Sequence, residues 1–110
     1  MDLSIIIPVF NEERSIHQLF SEIESAVDGV IKYEIIFIND GSTDNTLFSI
    51  KEVMLKNKDV KLVDLNKNYG KSIALQEGFN YSTGDIIITM DGDLQDDPEE
   101  INKLISEINK

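Results

Sequence analysis

Five acidic or amide side chains fall within seven residues, Asp91-Gly92-Asp93-Leu94-Gln95-Asp96-Asp97, between the apolar run Ile86-Ile87-Ile88-Thr89-Met90 and Pro98-Glu99-Glu100. Carboxylates this close repel one another unless a cation or solvent screens them, so the segment reads as a site for a hard metal ion. On an extended segment residues i and i+2 project to the same side. Asp91 and Asp93 can therefore face one ligand while Gly92 leaves room for the backbone to approach it. The competing explanation, a solvated acidic turn that caps the next helix, suits Asp96 and Asp97 better than Asp91 and Asp93.

The whole chain makes such an ion more needed. Ten Lys and Arg against 21 Asp and Glu give the 110 residues a formal charge of -11. That field repels nucleic acid and anionic lipid headgroups, so a polyanionic ligand needs a metal or a local cluster of donors to override it. With no cysteine and a single histidine, His17, a thiolate or zinc centre is not expected. The N-terminus lacks the basic flank and small-residue cleavage pattern of a signal peptide. No apolar run approaches the ~20 residues that span a bilayer, so a cytoplasmic setting is the expectation. Hydrophobic residues at 41% and charged residues at 28% describe a folded chain, and 110 residues describe one domain with a modest core.

The elements that must position the acidic segment follow from periodicity. Short β-rich runs occupy Leu3 to Val9, Tyr33 to Asn39, Val60 to Asn66 and Asp85 to Met90, and three of them hold consecutive Ile, as in strands buried on both faces. Between the first two, Ile16, Leu19, Phe20, Ile23 and Val27 paint one helix face. Thr46 to Asn57 and Ser72 to Ser82 supply two more helices. The last helix has Asp97 as N-cap, Pro98 in first position and Ile101, Leu104, Ile105 and Ile108 as its buried stripe. The pattern βαβαβαβα predicts a Rossmann-like three-layer α/β/α domain with a mainly parallel sheet and helices on both faces.

In such sheets ligands sit outside the carboxyl ends of the strands, where strand order reverses. The polar residues are placed accordingly, in Pro8 to Glu13, Asn39 to Asp44, Asn66 to Lys71 and the Asp91 segment, all on one rim. Rival motifs fail on spacing. An EF-hand starting at Asp91 needs Gly sixth and Glu twelfth, where Asp96 and Asn102 stand. Gly70-Lys71-Ser72 lacks the glycine a Walker loop places five residues earlier, where Leu65 stands, and no Gly-x-Gly-x-x-Gly occurs.

The constellation resembles the N-terminal half of a family 2 glycosyltransferase of GT-A fold, and within it the polyprenyl-phosphate sugar transferases. Four segments carry the resemblance in the family's order: Ile5-Ile6-Ile7-Pro8-Val9-Phe10-Asn11-Glu12-Glu13, Ile38-Asn39-Asp40-Gly41-Ser42-Thr43-Asp44, Asn66-Lys67-Asn68-Tyr69-Gly70-Lys71 and Met90-Asp91-Gly92-Asp93-Leu94-Gln95-Asp96-Asp97-Pro98. The resemblance implies that Pro8, Phe10 and Glu12 line a nucleoside pocket, with an aromatic face available to a flat base. It implies that Asp40 accepts a hydrogen bond from a ring N–H of the base, while Asp44 caps the following helix. Lys71 would approach the diphosphate, Tyr69 would pack and Gly70 would permit the turn. Asp93, with Gln95 as a further ligand, would hold Mg²⁺ or Mn²⁺, and Asp91 with Gly92 would meet the ribose or sugar.

The implied reaction moves a sugar from a UDP- or GDP-sugar to an acceptor with inversion at the anomeric carbon. The wording from Asp91 to Pro98 leans towards a polyprenyl phosphate acceptor, which is already anionic and needs no general base. A parent protein at the cytoplasmic face of a membrane suits that acceptor. The family's domain usually continues well past the metal motif, so residues 1–110 are expected to be the donor-binding part. They would lack the acceptor-binding half and any identifiable catalytic base, and would be inactive alone. Strand four would then be a sheet edge that invites a homodimer. A non-catalytic nucleotide- or metal-binding module of the same fold is the alternative. A sugar-1-phosphate nucleotidyltransferase is disfavoured, because its first loop is glycine-rich and Pro8 to Glu13 has no glycine.

Overall fold

Apolar runs two residues in period alternate with helical stripes along this chain, and the computed structural model, which describes residues 2–92 and 98–108, turns that alternation into layers. The element order is β1 (Leu3–Val9), α1 (Ile16–Val27), β2 (Tyr33–Asp40), α2 (Thr46–Lys56), β3 (Val60–Leu65), α3 (Lys71–Tyr81), β4 (Ile86–Thr89) and α4 (Pro98–Ile108). The four strands form one sheet in the order β3-β2-β1-β4, and every pairing is parallel. The sheet is thus wholly parallel where the sequence predicts a mainly parallel one. Each element lies within a residue or two of its predicted limits, and the expected N-cap Asp97 lies outside the described residues.

Alternation along the strands sorts side chains between two cores. Leu3, Ile5, Ile7 and Val9 of β1, with Tyr33, Ile35 and Phe37 of β2, face α1, α2 and α4, where Leu19, Ile23, Ile50, Val53 and Ile105 meet them. Ile6, Ile36 and Ile38 face the other way, onto Ala74 of α3. The three-layer α/β/α arrangement follows, with β1 and β2 covered on both faces.

Strand β4 departs from the expectation of burial on both faces. Ile87 is 42% exposed, because α3 lies over β1 and β2 and leaves the α3-side face of β4 uncovered, and Ile86, on the opposite face at the start of the strand, is 39% exposed. Ile88 and Met90 instead join the larger core. On α4 the expected stripe is divided, with Ile105 buried and Leu104 46% exposed.

At the amino ends of the strands, opposite the predicted rim, a fully buried carboxylate ties the sheet together. Glu34 accepts hydrogen bonds from the Ser4 hydroxyl, the Lys61 ammonium and the N–H and hydroxyl of Thr83, and the Gly84 N–H donates to Ser4 Oγ at 2.8 Å. Burial pushes the Glu34 carboxyl up, but Lys61, Ser4 and Thr83 together outweigh it and hold the group at about 2.

Candidate functional site

Strands β1, β2 and β3 run outward in sequence to one side, and the chain then jumps back over the sheet through α3 to place β4 on the far side of β1. Strand order therefore reverses between β1 and β4, and a crevice opens there at the carboxyl ends because the following loops part in opposite directions. A cavity of about 380 Å³ occupies this crevice. Strand β1 contributes Pro8 and Val9, and Phe10 and Glu12 follow it; β2 contributes Asp40. Asn68, Gly70 and Lys71 come from the β3–α3 connection, and Asp91 and Gly92 from the end of β4.

The structure thus brings Pro8, Phe10, Glu12, Asp40, Lys71, Asp91 and Gly92 to one cavity, while Asp93 and Gln95 lie outside the described residues. Phe10 is 44% exposed, so it is not a core residue at a strand end. Gly92 is buried against β1, and a Cβ there would stand 2.5 Å from Val9 Cγ1, so any larger residue would push the acidic segment away from the cavity wall.

The walls are stitched loop to loop. Asn11 has a φ of +54°, a left-handed conformation Asn tolerates better than most residues. Its side-chain oxygen accepts from the N–H groups of Thr43 at 2.8 Å and Asp44 at 3.3 Å, and its own N–H donates to Ser42 Oγ at 2.9 Å. Glu12 N–H donates to Thr46 Oγ1 at 2.8 Å, which holds the first loop to the start of α2. Asp44 accepts from the Thr46 N–H at 2.9 Å and from its hydroxyl, the turn-capping work foreseen for it. Its burial acts to raise its carboxyl, but the Thr46 hydroxyl and the Thr46 and Glu13 N–H groups prevail and hold it below the ordinary carboxylate range.

The third wall interlocks with the second. Gly41 has a φ of +73°, and a Cβ on it would lie 2.3 Å from Asn68 N and from Lys67 C, so only glycine lets the two loops touch. The Asp40 carboxylate accepts from Tyr69 N–H at 2.8 Å and Gly70 N–H at 3.0 Å. Across the cavity mouth Lys71 Nζ stands 2.6 Å from Asp91 Oδ1. Sequence reasoning assigned these two to different parts of a ligand and did not foresee their pairing. It also passed over Asn11 and Asn68, for which the only signal was an amide in a loop already rich in polar residues.

Asp91 presents a half-exposed carboxylate, chemistry that fits a hard divalent cation rather than a soft one. Among the described residues no three His, Cys, Asp or Glu side chains converge on one point. Asp93 and Gln95, the ligands expected from the sequence, are one and three residues beyond Gly92 in the chain.

A four-stranded parallel α/β/α sheet with its polar loops gathered at the β1/β4 switch point is the architecture of GT-A nucleotide-sugar enzymes, and this chain belongs to glycosyltransferase family 2, whose family model matches residues 4–110. It is 42% identical over 106 residues to the uncharacterized glycosyltransferase sll0501 of Synechocystis sp., a match that covers 96% of this chain and 33% of that protein. The chain therefore spans about a third of the length of that relative.

Residues 1–349 of Staphylococcus aureus TarS superpose with a TM-score of 0.81 at 24% identity, over 98% of this chain and 32% of that one. The Pyrobaculum calidifontis mannosyltransferase PcManGT, in complex with GDP-Man and Mn²⁺, gives 0.79 at 23% identity, over 94% and 31%. Glucosyl-3-phosphoglycerate synthase from Mycobacterium tuberculosis, with Mn²⁺, UDP and glucosyl-3-phosphoglycerate, gives 0.76 at 25% identity, over 99% and 40%. No helix among the described residues is long and apolar enough to cross a membrane.

Proposed function

We propose that this chain is the donor-binding portion of an inverting glycosyltransferase that takes a UDP- or GDP-sugar together with Mg²⁺ or Mn²⁺. The observation that carries the reading is the single cavity at the β1/β4 switch point, lined by all seven donor residues expected within the described region. Its volume of about 380 Å³ is in the range of small-ligand sites. Phe10 offers an exposed aromatic face to the base, and Pro8, Glu12 and Asp40 complete the nucleoside end. Lys71 supplies a compact positive charge for the diphosphate, and Asp91 and Gly92 meet the ribose or sugar.

Asp93 and Gln95 would hold the divalent ion, with Asp91 beside them. Such an ion, when bound, neutralises the charge that grows on the departing nucleoside diphosphate. The solved relatives that carry GDP-Man or UDP with Mn²⁺ support this donor class. For the acceptor we propose a polyprenyl phosphate, reached by a parent protein at the cytoplasmic face of a membrane. A phosphate acceptor is anionic at neutral pH and attacks without a base.

Calorimetric titration of UDP- and GDP-sugars, with and without Mn²⁺, tests the reading. One donor series should bind in the presence of Mn²⁺, and Asp93→Ala should weaken it by about tenfold or more, the loss expected on removing one charged ligand. Binding that ignores both the metal and the substitution would favour a non-catalytic module over a transferase.

A further inference from the structure

We infer that Asn11 is a positioning residue, which clasps the β1–α1 loop to the β2–α2 loop and so holds Phe10 and Glu12 in place for a nucleoside. The inference rests on the donor-site reading above and deepens it. Asn11 is exposed and does not line the cavity, whereas Phe10 and Glu12 on either side of it do. Its side-chain oxygen accepts from Thr43 N–H at 2.8 Å, Asp44 N–H at 3.3 Å and the Thr43 hydroxyl at 3.4 Å. In return its own N–H donates to Ser42 Oγ at 2.9 Å. Each loop thus offers a side chain to the other's backbone.

Packing does not hold this stretch. Phe10 is 44% exposed, so the aromatic face offered to a base is fixed by the backbone that carries it rather than by a core. A loop with few buried apolar contacts opens readily, and hydrogen bonds must supply its order. The β2–α2 loop is a firm partner for them. Asn39, buried in β2, accepts from Ser42 N–H at 3.4 Å, and its amide donates to Asp64 Oδ1 of β3 at 3.0 Å. Gly41 lies against the backbone of Lys67 and Asn68. The clasp therefore ties the first loop to the sheet through the second.

The residue type answers two demands at once. Asn11 is the only non-glycine residue with a positive φ among those described, at +54°. Most side chains are strained there, and Gly, Asn and Asp take up that backbone most readily. Glycine would meet this demand but carries no oxygen for Thr43 and Asp44. Aspartate would meet both, with an added charge. A loop held in place before the ligand arrives loses less freedom on binding, so the clasp should show as nucleoside affinity.

The test compares wild type, Asn11→Gly and Asn11→Asp for binding of UDP and uridine in Mg²⁺, with GDP and guanosine as the pair if guanine is the base. Asn11→Gly should weaken both ligands by about tenfold, the net worth of one or two hydrogen bonds. The UDP-to-uridine affinity ratio should not move, because the loss falls on the nucleoside end alone. A general loosening of the site would weaken the diphosphate contacts too and lower that ratio. Asn11→Asp should bind uridine, which carries no charge to be repelled, within about twofold of wild type.

Unchanged uridine affinity in Asn11→Gly, a fall in the UDP-to-uridine ratio, or Asn11→Asp as weak as Asn11→Gly would overturn the inference. If Asn11→Gly does not fold, Ser42→Ala removes the return bond without touching the left-handed backbone. It should weaken both ligands by about threefold, and uridine affinity equal to that of wild type would overturn the inference. Wild-type protein that binds neither UDP nor GDP would sink the donor-site reading instead. Amide exchange then decides the clasp: Thr43 and Asp44 should exchange faster in the variant than in wild type, and equal rates would count against it.

Discussion

Asp40, Asp44 and Glu34 sit within eleven residues of one another in sequence and do three kinds of work. Asp44 ties the first loop to the start of α2, a role legible in the sequence because an acid two residues before a helical run is a common turn and cap signal. Replacing it with Ala should cost roughly 1 kcal/mol in urea unfolding, as for other lost caps. Glu34 was not legible: it reads as one more residue in a buried strand, and its partners Ser4, Lys61 and Thr83 lie 27 to 49 residues away. Its carboxyl is held at about 2 against an ordinary 4.5, so its contribution is present above the ordinary value and is lost as pH falls from about 4.5 through about 2. The shift corresponds to roughly 3 kcal/mol at most, less whatever the half-exposed Lys61 loses to solvent. Unfolding free energies measured across that window should fall steeply for wild type and less for Glu34→Gln; parallel curves would contradict the assignment.

At the scale of elements, periodicity located every strand and helix, since the stripes of α1 and the Ile runs of β1 and β2 are the features that burial rewards. Helix α3 was harder to bound because only Ala74 and Gly78 of it are buried, so it carries no apolar stripe. What no periodicity shows is how loops from different strands interlock. Gly41 and Gly29 make the point testable, since both have φ near +75°, yet a Cβ on Gly41 meets backbone at 2.3 Å and a Cβ on Gly29 meets nothing within 4 Å. Gly29→Ala should cost about 1 kcal/mol for the left-handed backbone alone. Gly41→Ala should cost at least about 2 kcal/mol more, because two backbones must part. Equal melting temperatures for the two variants would contradict the close approach of the β2–α2 and β3–α3 loops.

At the scale of the molecule, the order β3-β2-β1-β4 was not written in the sequence, because parallel strands of similar composition do not announce their neighbours. The rule that ligands sit where strand order reverses needed that order to locate the cavity between β1 and β4. The same order leaves β4 as an edge among the described residues, with Ile86 and Ile87 exposed. Edges of this kind pair with other chains, and a homodimer through β4 is our expectation for the isolated chain. Sedimentation should show the apparent mass rising with concentration, and Ile87→Lys should return the chain to monomer with nucleotide binding intact; a wild type that stays monomeric throughout would contradict it. The central claim, that the β1/β4 cavity receives a nucleoside diphosphate with a divalent ion at the Asp91–Gln95 segment, is tested most directly by a crystal structure grown with UDP or GDP and Mn²⁺. The account predicts the base beside Phe10, the phosphates near Lys71 and an anomalous manganese peak at Asp93. A nucleotide bound elsewhere, or a filled cavity with no metal beside that carboxylate, would contradict it.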